Sequence, residues 1–137
     1  MRYLLDTNIV SELRKKLPDE NVIAWLNQIH PSQLYLSSLT IGELRAGALK
    51  KAKIDKKHGD TLLKWIDDLI IDYQEQIIGI DLAISEEWAQ LLNIDSTNAI
   101  DSLLAAQAIS MNFTLVTRNI RHFKMFNIKL LDPFLSE

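Results

Sequence analysis

The 137-residue chain contains no cysteine and only three prolines and four glycines. Without cysteine there are no disulfides, no zinc–thiolate centre and no thiol nucleophile, a pattern that fits a reducing compartment. The scarcity of Gly and Pro excludes collagen-like and low-complexity disordered chains. No apolar run approaches the roughly 20 residues that span a bilayer, and Met1 to Asn8 lacks the long apolar stretch of a secretory signal. A soluble, cytoplasmic protein with no membrane contact is therefore expected. There is no GxGxxG string and no Walker-type loop, so no glycine-rich cradle for phosphates is present. His30, His58 and His122 lack the spacing of metal ligands, which argues against a zinc site. What the chain does have is 47% hydrophobic residues, enough for one core and too little for two ordinary domains. Residues 1–137 are read as a single domain.

The formal net charge is −3, but its distribution is more informative than its sum. Arg14, Lys15 and Lys16 form one basic group. Arg45, Lys50, Lys51, Lys53, Lys56 and Lys57 form a second, and Arg118, Arg121, His122 and Lys124 a third. The stretch from Asp60 to Glu87 is acidic. A polyanion needs a local basic surface rather than a basic protein, although any one of these groups taken alone reads as a solvated face.

Short apolar runs alternate with longer helical patterns. Tyr3–Leu5, Leu34–Leu36, Ile77–Ile80, Thr114–Val116 and Lys129–Leu131 read as buried strands. Apolar residues recur at helical spacing in Leu62–Tyr73, Ile84–Leu92 and Ile100–Met111. Further helices are expected over Asn8–Lys15, Asp19–Ile29 and Thr40–Lys50, and one more between the last two strands. The polar, lysine-rich segment Lys50–Asp60 reads as a mobile loop or a frayed helix end. This alternation predicts an α/β fold: a central parallel sheet of about five strands, covered by helices on both faces.

In such a sheet the strand C-termini and the helix N-termini share one edge, where open α/β folds bind ligands. Four polar positions map to that edge. Asp6 ends the first strand, Glu43 lies in the first turn of the helix after the second, Asp101 opens the helix before the fourth, and Asn119 follows the fourth. Capping explains each of the three acids separately. Thr40-Ile-Gly-Glu43 and Asn98-Ala-Ile-Asp101 have capping-box spacing, and Asp6 can cap the helix that follows it. Because every helix starts at this edge, caps alone would gather acids there. Two details favour a site. Asp81 and Ser85 provide another strand-to-helix junction, so capping does not require these particular strings. Small residues flank Glu43 (Gly42, Ala46, Gly47, Ala48) and follow Asp101 (Ala105, Ala106, Ala108), which permits close helix approach. Clustered carboxylates require a cation, which points to a divalent metal and phosphodiester chemistry. An aspartyl-phosphate phosphatase would want a second Asp where Asp6-Thr7-Asn8 has none. A receiver domain would want an acidic pair and a late lysine.

The strings Asp6-Thr7-Asn8, Thr40-Ile-Gly-Glu43-Leu-Arg-Ala-Gly47, Ile100-Asp101-Ser-Leu-Leu-Ala-Ala106 and Leu115-Val-Thr-Arg-Asn119 occur in this order across nearly the whole chain. Together they resemble the PIN-domain ribonucleases, and within them the VapC-like toxins of type II toxin–antitoxin systems. The resemblance implies a three-layer α/β/α sandwich and Mg²⁺-dependent (or Mn²⁺-dependent) endonucleolytic cleavage of RNA. It also implies a cognate antitoxin, a homodimer, and contact with operator DNA only through that antitoxin. By the same resemblance Asp6, Glu43 and Asp101 are metal ligands, with Asn119 completing the catalytic set. Many members carry Asp where this chain has Asn119, so one negative charge is missing. Thr7 and Asn8 would orient Asp6. Thr117 would support the site and could hold a metal-bound water. Arg14, Arg45 and Arg118 are candidates for phosphate positioning. The alternative is a weakly catalytic or non-catalytic PIN module that serves mainly as the antitoxin's partner on DNA.

Overall fold

Leu4, Leu5, Leu36, Leu115 and Val116 are completely buried, as expected of strands covered on both faces. The computed structural model, which describes residues 1–135, has five strands: β1 (Tyr3–Leu5), β2 (Leu34–Ser37), β3 (Ile77–Ile78), β4 (Thr114–Val116) and β5 (Leu130–Leu131). Its six α-helices are α1 (Thr7–Arg14), α2 (Glu20–Asn27), α3 (Ser38–Ile54), α4 (Lys56–Asp72), α5 (Leu82–Ile94) and α6 (Ala99–Met111). All strand pairings are parallel, in the order β3-β2-β1-β4-β5. β1 is central, with Leu5 opposite both Leu36 and Val116.

Successive strand residues point to opposite faces, and each face has its own core. Leu4 and Leu115 pack with Leu91, Leu104, Ala105, Ala108 and Phe113 beneath α5 and α6. Tyr3, Leu5, Leu36 and Val116 pack with Ile9, Val10 and Leu69 from α1 and α4. The result is the expected three-layer α/β/α arrangement with a five-stranded parallel sheet.

The differences from expectation are local. The edge strands β3 and β5 have two residues each, shorter than Ile77–Ile80 and Lys129–Leu131. The helix expected between the last two strands is a single 3₁₀ turn, Ile120–His122. Lys50–Asp60 is helical almost throughout. Unbranched lysines are good helix formers, and the one break is at Asp55. This residue ends α3 and caps α4, its carboxylate accepting the His58 N–H at 3.1 Å. The two helices form a tight hairpin. Gly59 is buried against α3, where a Cβ would collide with the Ala52 backbone. The capping box at Thr40 is not formed. Ser37 caps α3 through the Leu39 N–H, so Thr40 lies inside the helix and Glu43 in its second turn. Asn98 does cap α6, accepting the Asp101 N–H at 3.1 Å.

Candidate active site

The chain runs from β1 to β2 and β3 on one side, then returns to place β4 on the other side of β1. The β1/β4 boundary is therefore the topological switch point, the crevice where open α/β sheets bind ligands. Asp6 and Thr117 are the residues that leave these two strands. The Asp6 N–H continues the ladder by donating to the Val116 carbonyl at 2.9 Å.

Asp6 is 8% exposed. Its Oδ1 accepts the Thr7 N–H at 2.7 Å, and its Oδ2 accepts the Thr117 hydroxyl at 2.7 Å and the Asn8 amide at 3.3 Å. All three donors are neutral. Burial pushes the Asp6 carboxyl above the usual range, and the charge of Asp101 adds to the rise. The Thr117 and Thr7 hydrogen bonds oppose it. Thr117 is fully buried, and its oxygen also accepts the Asn119 N–H at 3.0 Å. Its hydroxyl thus ties Asp6 to the Asn119 turn.

Glu43 reaches the same edge from α3, where Thr7 Oγ1 donates to its Oε1 at 2.8 Å. The buried Thr40 hydroxyl lies 3.2 Å from Thr7 Oγ1, so Thr40 supports the site instead of capping the helix. Asp101 enters from the first turn of α6. Burial raises its carboxyl, the His122 ring opposes the rise, and Glu43 adds to it. His122 Nδ1 is 3.3 Å from Asp101 Oδ2. Desolvation, ahead of repulsion between the acids, is the leading cause of both shifts.

Asp6, Thr7, Asn8, Glu43, Asp101, Arg118 and Asn119 all line one cleft of about 510 Å³. So do Glu12, Lys15 and His122, which sequence reasoning did not single out as site residues. For His122 the available signal was its place three residues after Asn119. For Glu12 it was a charged residue on the otherwise apolar inner face of α1. The three arginines separate. Arg118 lies in the cleft, its guanidinium 4.4 Å from the Phe134 ring centroid. Arg14 lines an adjoining groove with Glu43, Leu44 and Trp65. Arg45 is tied to Asp67 of α4 at 2.9 Å and is not among the residues lining either one.

This fold and this acidic edge can be set beside known proteins. The family model described as "PIN domain" matches residues 3–127. The chain belongs to the PIN-domain family. Its PIN-domain relatives include the ribonuclease VapC2 of Rickettsia felis, 32% identical over 138 residues, with 96% of this chain and 97% of that protein covered. Among solved structures, FitAcB from Neisseria gonorrhoeae superimposes with a TM-score of 0.86 at 28% identity, covering 96% of this chain and 98% of that one. VapBC2 from Rickettsia felis bound to a promoter DNA fragment gives 0.74 at 26% identity, covering 96% and 98%.

Among the described residues of this PIN domain, no three His, Asp or Glu side chains are gathered tightly enough to enclose a metal ion. The donor chemistry nevertheless fits a hydrated hard dication. Mg²⁺ keeps several of its waters and takes only one or two carboxylates directly. Asp6 is a buried carboxylate whose hydrogen-bond donors are all neutral, the His122 ring only partly opposing the rise of its carboxyl, and electrostatic coupling runs from Asp6 to Asp101 and from Asp101 to Glu43. A dication in the cleft would reverse the local pKa balance and keep the acids ionised.

Proposed function

We propose that this chain is a metal-dependent endoribonuclease, using Mg²⁺ or Mn²⁺, that acts as the toxin of a toxin–antitoxin pair. The observation that carries this reading is the buried Asp6 carboxylate at the switch point, whose three hydrogen-bond donors are all neutral, sharing one cleft with Asp101 and Glu43. Relatives named ribonucleases and toxins, and superimposable structures of FitAB and VapBC assemblies, support it.

Asp6, Asp101 and Glu43 would hold the cation. When bound, it supplies positive charge to the phosphoryl oxygens and lowers the pKa of water at the cleft. The remaining work falls to the chain itself. Thr117, the Thr7 N–H and the Asn8 amide fix the Asp6 carboxylate, so that no side-chain reorganisation is needed during reaction. Thr7 orients Glu43, whose exposed carboxylate can accept a proton from the attacking water. Asn119 can orient water or a phosphate oxygen by hydrogen bonding but cannot act as a base. Water oxygen bonds to phosphorus as one of its protons passes to Glu43, the bond from phosphorus to the 3′-oxygen breaks, that oxygen takes up a proton from solvent water, and the products carry 5′-phosphate and 3′-hydroxyl ends.

The partners that follow are RNA, a cognate antitoxin and a second copy of the chain in a cytoplasmic complex, with operator DNA reached only through the antitoxin. Purified protein incubated with RNA tests the chemistry. Cleavage that requires Mg²⁺ or Mn²⁺, stops with chelator and is lost in Asp101→Asn is expected. Asn119 and the loose spacing of the acids favour a second reading, a weakly catalytic or non-catalytic PIN module that partners the antitoxin on DNA. Absence of cleavage with either metal would select it.

A further inference from the structure

One wall of the cleft carries charge that the acidic set does not use. Glu12 is only 6% exposed and lies in the last turn of α1, six residues after Asp6. A buried carboxylate is costly unless it is paired and hydrogen-bonded, and Glu12 has both kinds of partner. Its Oε1 is 2.9 Å from Lys15 Nζ, and its Oε2 accepts the Asp19 N–H at 2.9 Å. The Lys15 ammonium beside it holds the Glu12 carboxyl below the usual range, the Asp19 bond adds to this, and Arg118 contributes from across the chain. Lys15 itself is more than half exposed and lines the same cleft as Asp6, Glu43 and Asp101, as do Arg118 and Phe134.

We propose that Lys15, held in place by buried Glu12, contacts a backbone phosphate of the single-stranded RNA entering the cleft. Lys15 and Arg118 bring two cations against the one carboxylate of Glu12 into the cleft that Asp6, Glu43 and Asp101 also line. A polyanion approaching three carboxylates needs such a counterweight. An ammonium immobilised by a buried acid also loses less side-chain freedom on binding than a free surface lysine. Arg118, stacked on Phe134, stands beside it as a second positioning cation. Both are positioning residues. The proposal rests on the ribonuclease reading for the identity of the polyanion, and its test separates the two.

RNA affinity is measured by titration in the Asp101→Asn background, which removes cleavage, with a single-stranded oligoribonucleotide as probe over a range of salt. Lys15→Met is expected to weaken binding several-fold at low salt and to flatten the plot of log K against log [salt] by about 0.7, the share of one phosphate contact on a single strand. Lys15→Arg should restore most of both. Glu12→Gln keeps an acceptor for the Asp19 N–H but loses the ionic anchor, and should produce a smaller loss of the same kind. If Lys15→Met binds RNA with unchanged affinity and unchanged salt slope, the proposal is overturned, and the pair is only a clamp on the α1–α2 turn. Failure of wild-type protein to cleave RNA in Mg²⁺ or Mn²⁺ would overturn the ribonuclease reading independently of these titrations.

Discussion

Thr117→Val is the sharpest probe of how the site is held. The substitution keeps the side-chain volume and removes the hydroxyl that donates to Asp6 Oδ2 at 2.7 Å. It also removes the acceptor of the Asn119 N–H. A hydrogen bond to a charged group contributes about 1.5–3 kcal/mol, and leaving its partner buried pushes the cost to the upper part of that range. Asp6 is 8% exposed and Thr117 fully buried, so solvent from the cleft compensates the lost donor only in part. The Asn119 N–H belongs to an exposed residue, where water substitutes at little cost. The expected loss at neutral pH is therefore about 2–3 kcal/mol, read from urea unfolding of metal-free protein. The Thr117 bond opposes the rise of the Asp6 pKa, so removing it must raise that pKa further. The destabilisation should then shrink at acidic pH, where Asp6 is protonated and no longer depends on the donor. Thr117→Ser, which retains the hydroxyl, should lose only about 0.8 kcal/mol for its missing methyl. A Thr117→Val loss that is below about 0.5 kcal/mol, or equal at neutral and acidic pH, would refute the assignment of Thr117 as the residue that stabilises ionised Asp6.

Three further outcomes follow. Asp6→Asn should abolish cleavage, and relative to wild type it should be most favourable for the metal-free fold at neutral pH, offset by the amide nitrogen that must face donors now bound by a carboxylate oxygen. The folded-state pKa of Asp6 is raised, so its ionisation is a penalty in full above that pKa. The penalty fades as pH falls through the folded pKa toward the ordinary carboxylate range, and the advantage of Asn should fade with it in urea titrations across pH. Gly59→Ala should destabilise, although alanine contributes roughly 1 kcal/mol of helix propensity. Overpacking costs about 1–3 kcal/mol, and contact with the α3 backbone puts this site at the upper end; a higher melting temperature would contradict the hairpin packing. Arg45→Met should leave RNA cleavage unchanged, because its guanidinium is paired with Asp67 outside the cleft. Melting curves should shift by the equivalent of no more than about 1 kcal/mol, the usual limit for an exposed pair.

The comparison of sequence with structure turns on particular residues. The three central strands were legible because both of their faces are buried, so apolar runs mark them without ambiguity. The edge strands are shorter than their apolar runs because pairing on one side only ends the ladder early. Polarity concealed the helix over Lys50–Asp60. Its lysines face solvent, while Ala52 and Gly59 make the contact between the two helices. The Thr40–Glu43 spacing imitates a capping box, but Ser37, placed at the end of β2, takes the cap first. Among the site residues, Asp6, Asp101, Glu43 and Asn119 line one cleft as their positions at strand and helix ends suggested. Thr117 lies between Asp6 and the Asn119 turn, hydrogen-bonded to both. Arg45 could not be separated from Arg14 and Arg118 by sequence, because its partner Asp67 lies on the next helix. Glu12, Lys15 and His122 were missed for a related reason. Their roles depend on contacts within a helical turn and across the sheet edge, and sequence spacing alone does not distinguish these from solvated charges.

Hydrolysis of RNA at the acidic edge of this PIN domain would leave new 5′-phosphate ends. Sequencing of such ends in cellular RNA after brief expression detects it, with Asp101→Asn as the matched control. New, discrete 5′-phosphate ends are expected with the wild-type chain and none with the variant. The same ends in both samples, or none in either while purified protein is folded and supplied with Mg²⁺, would contradict it.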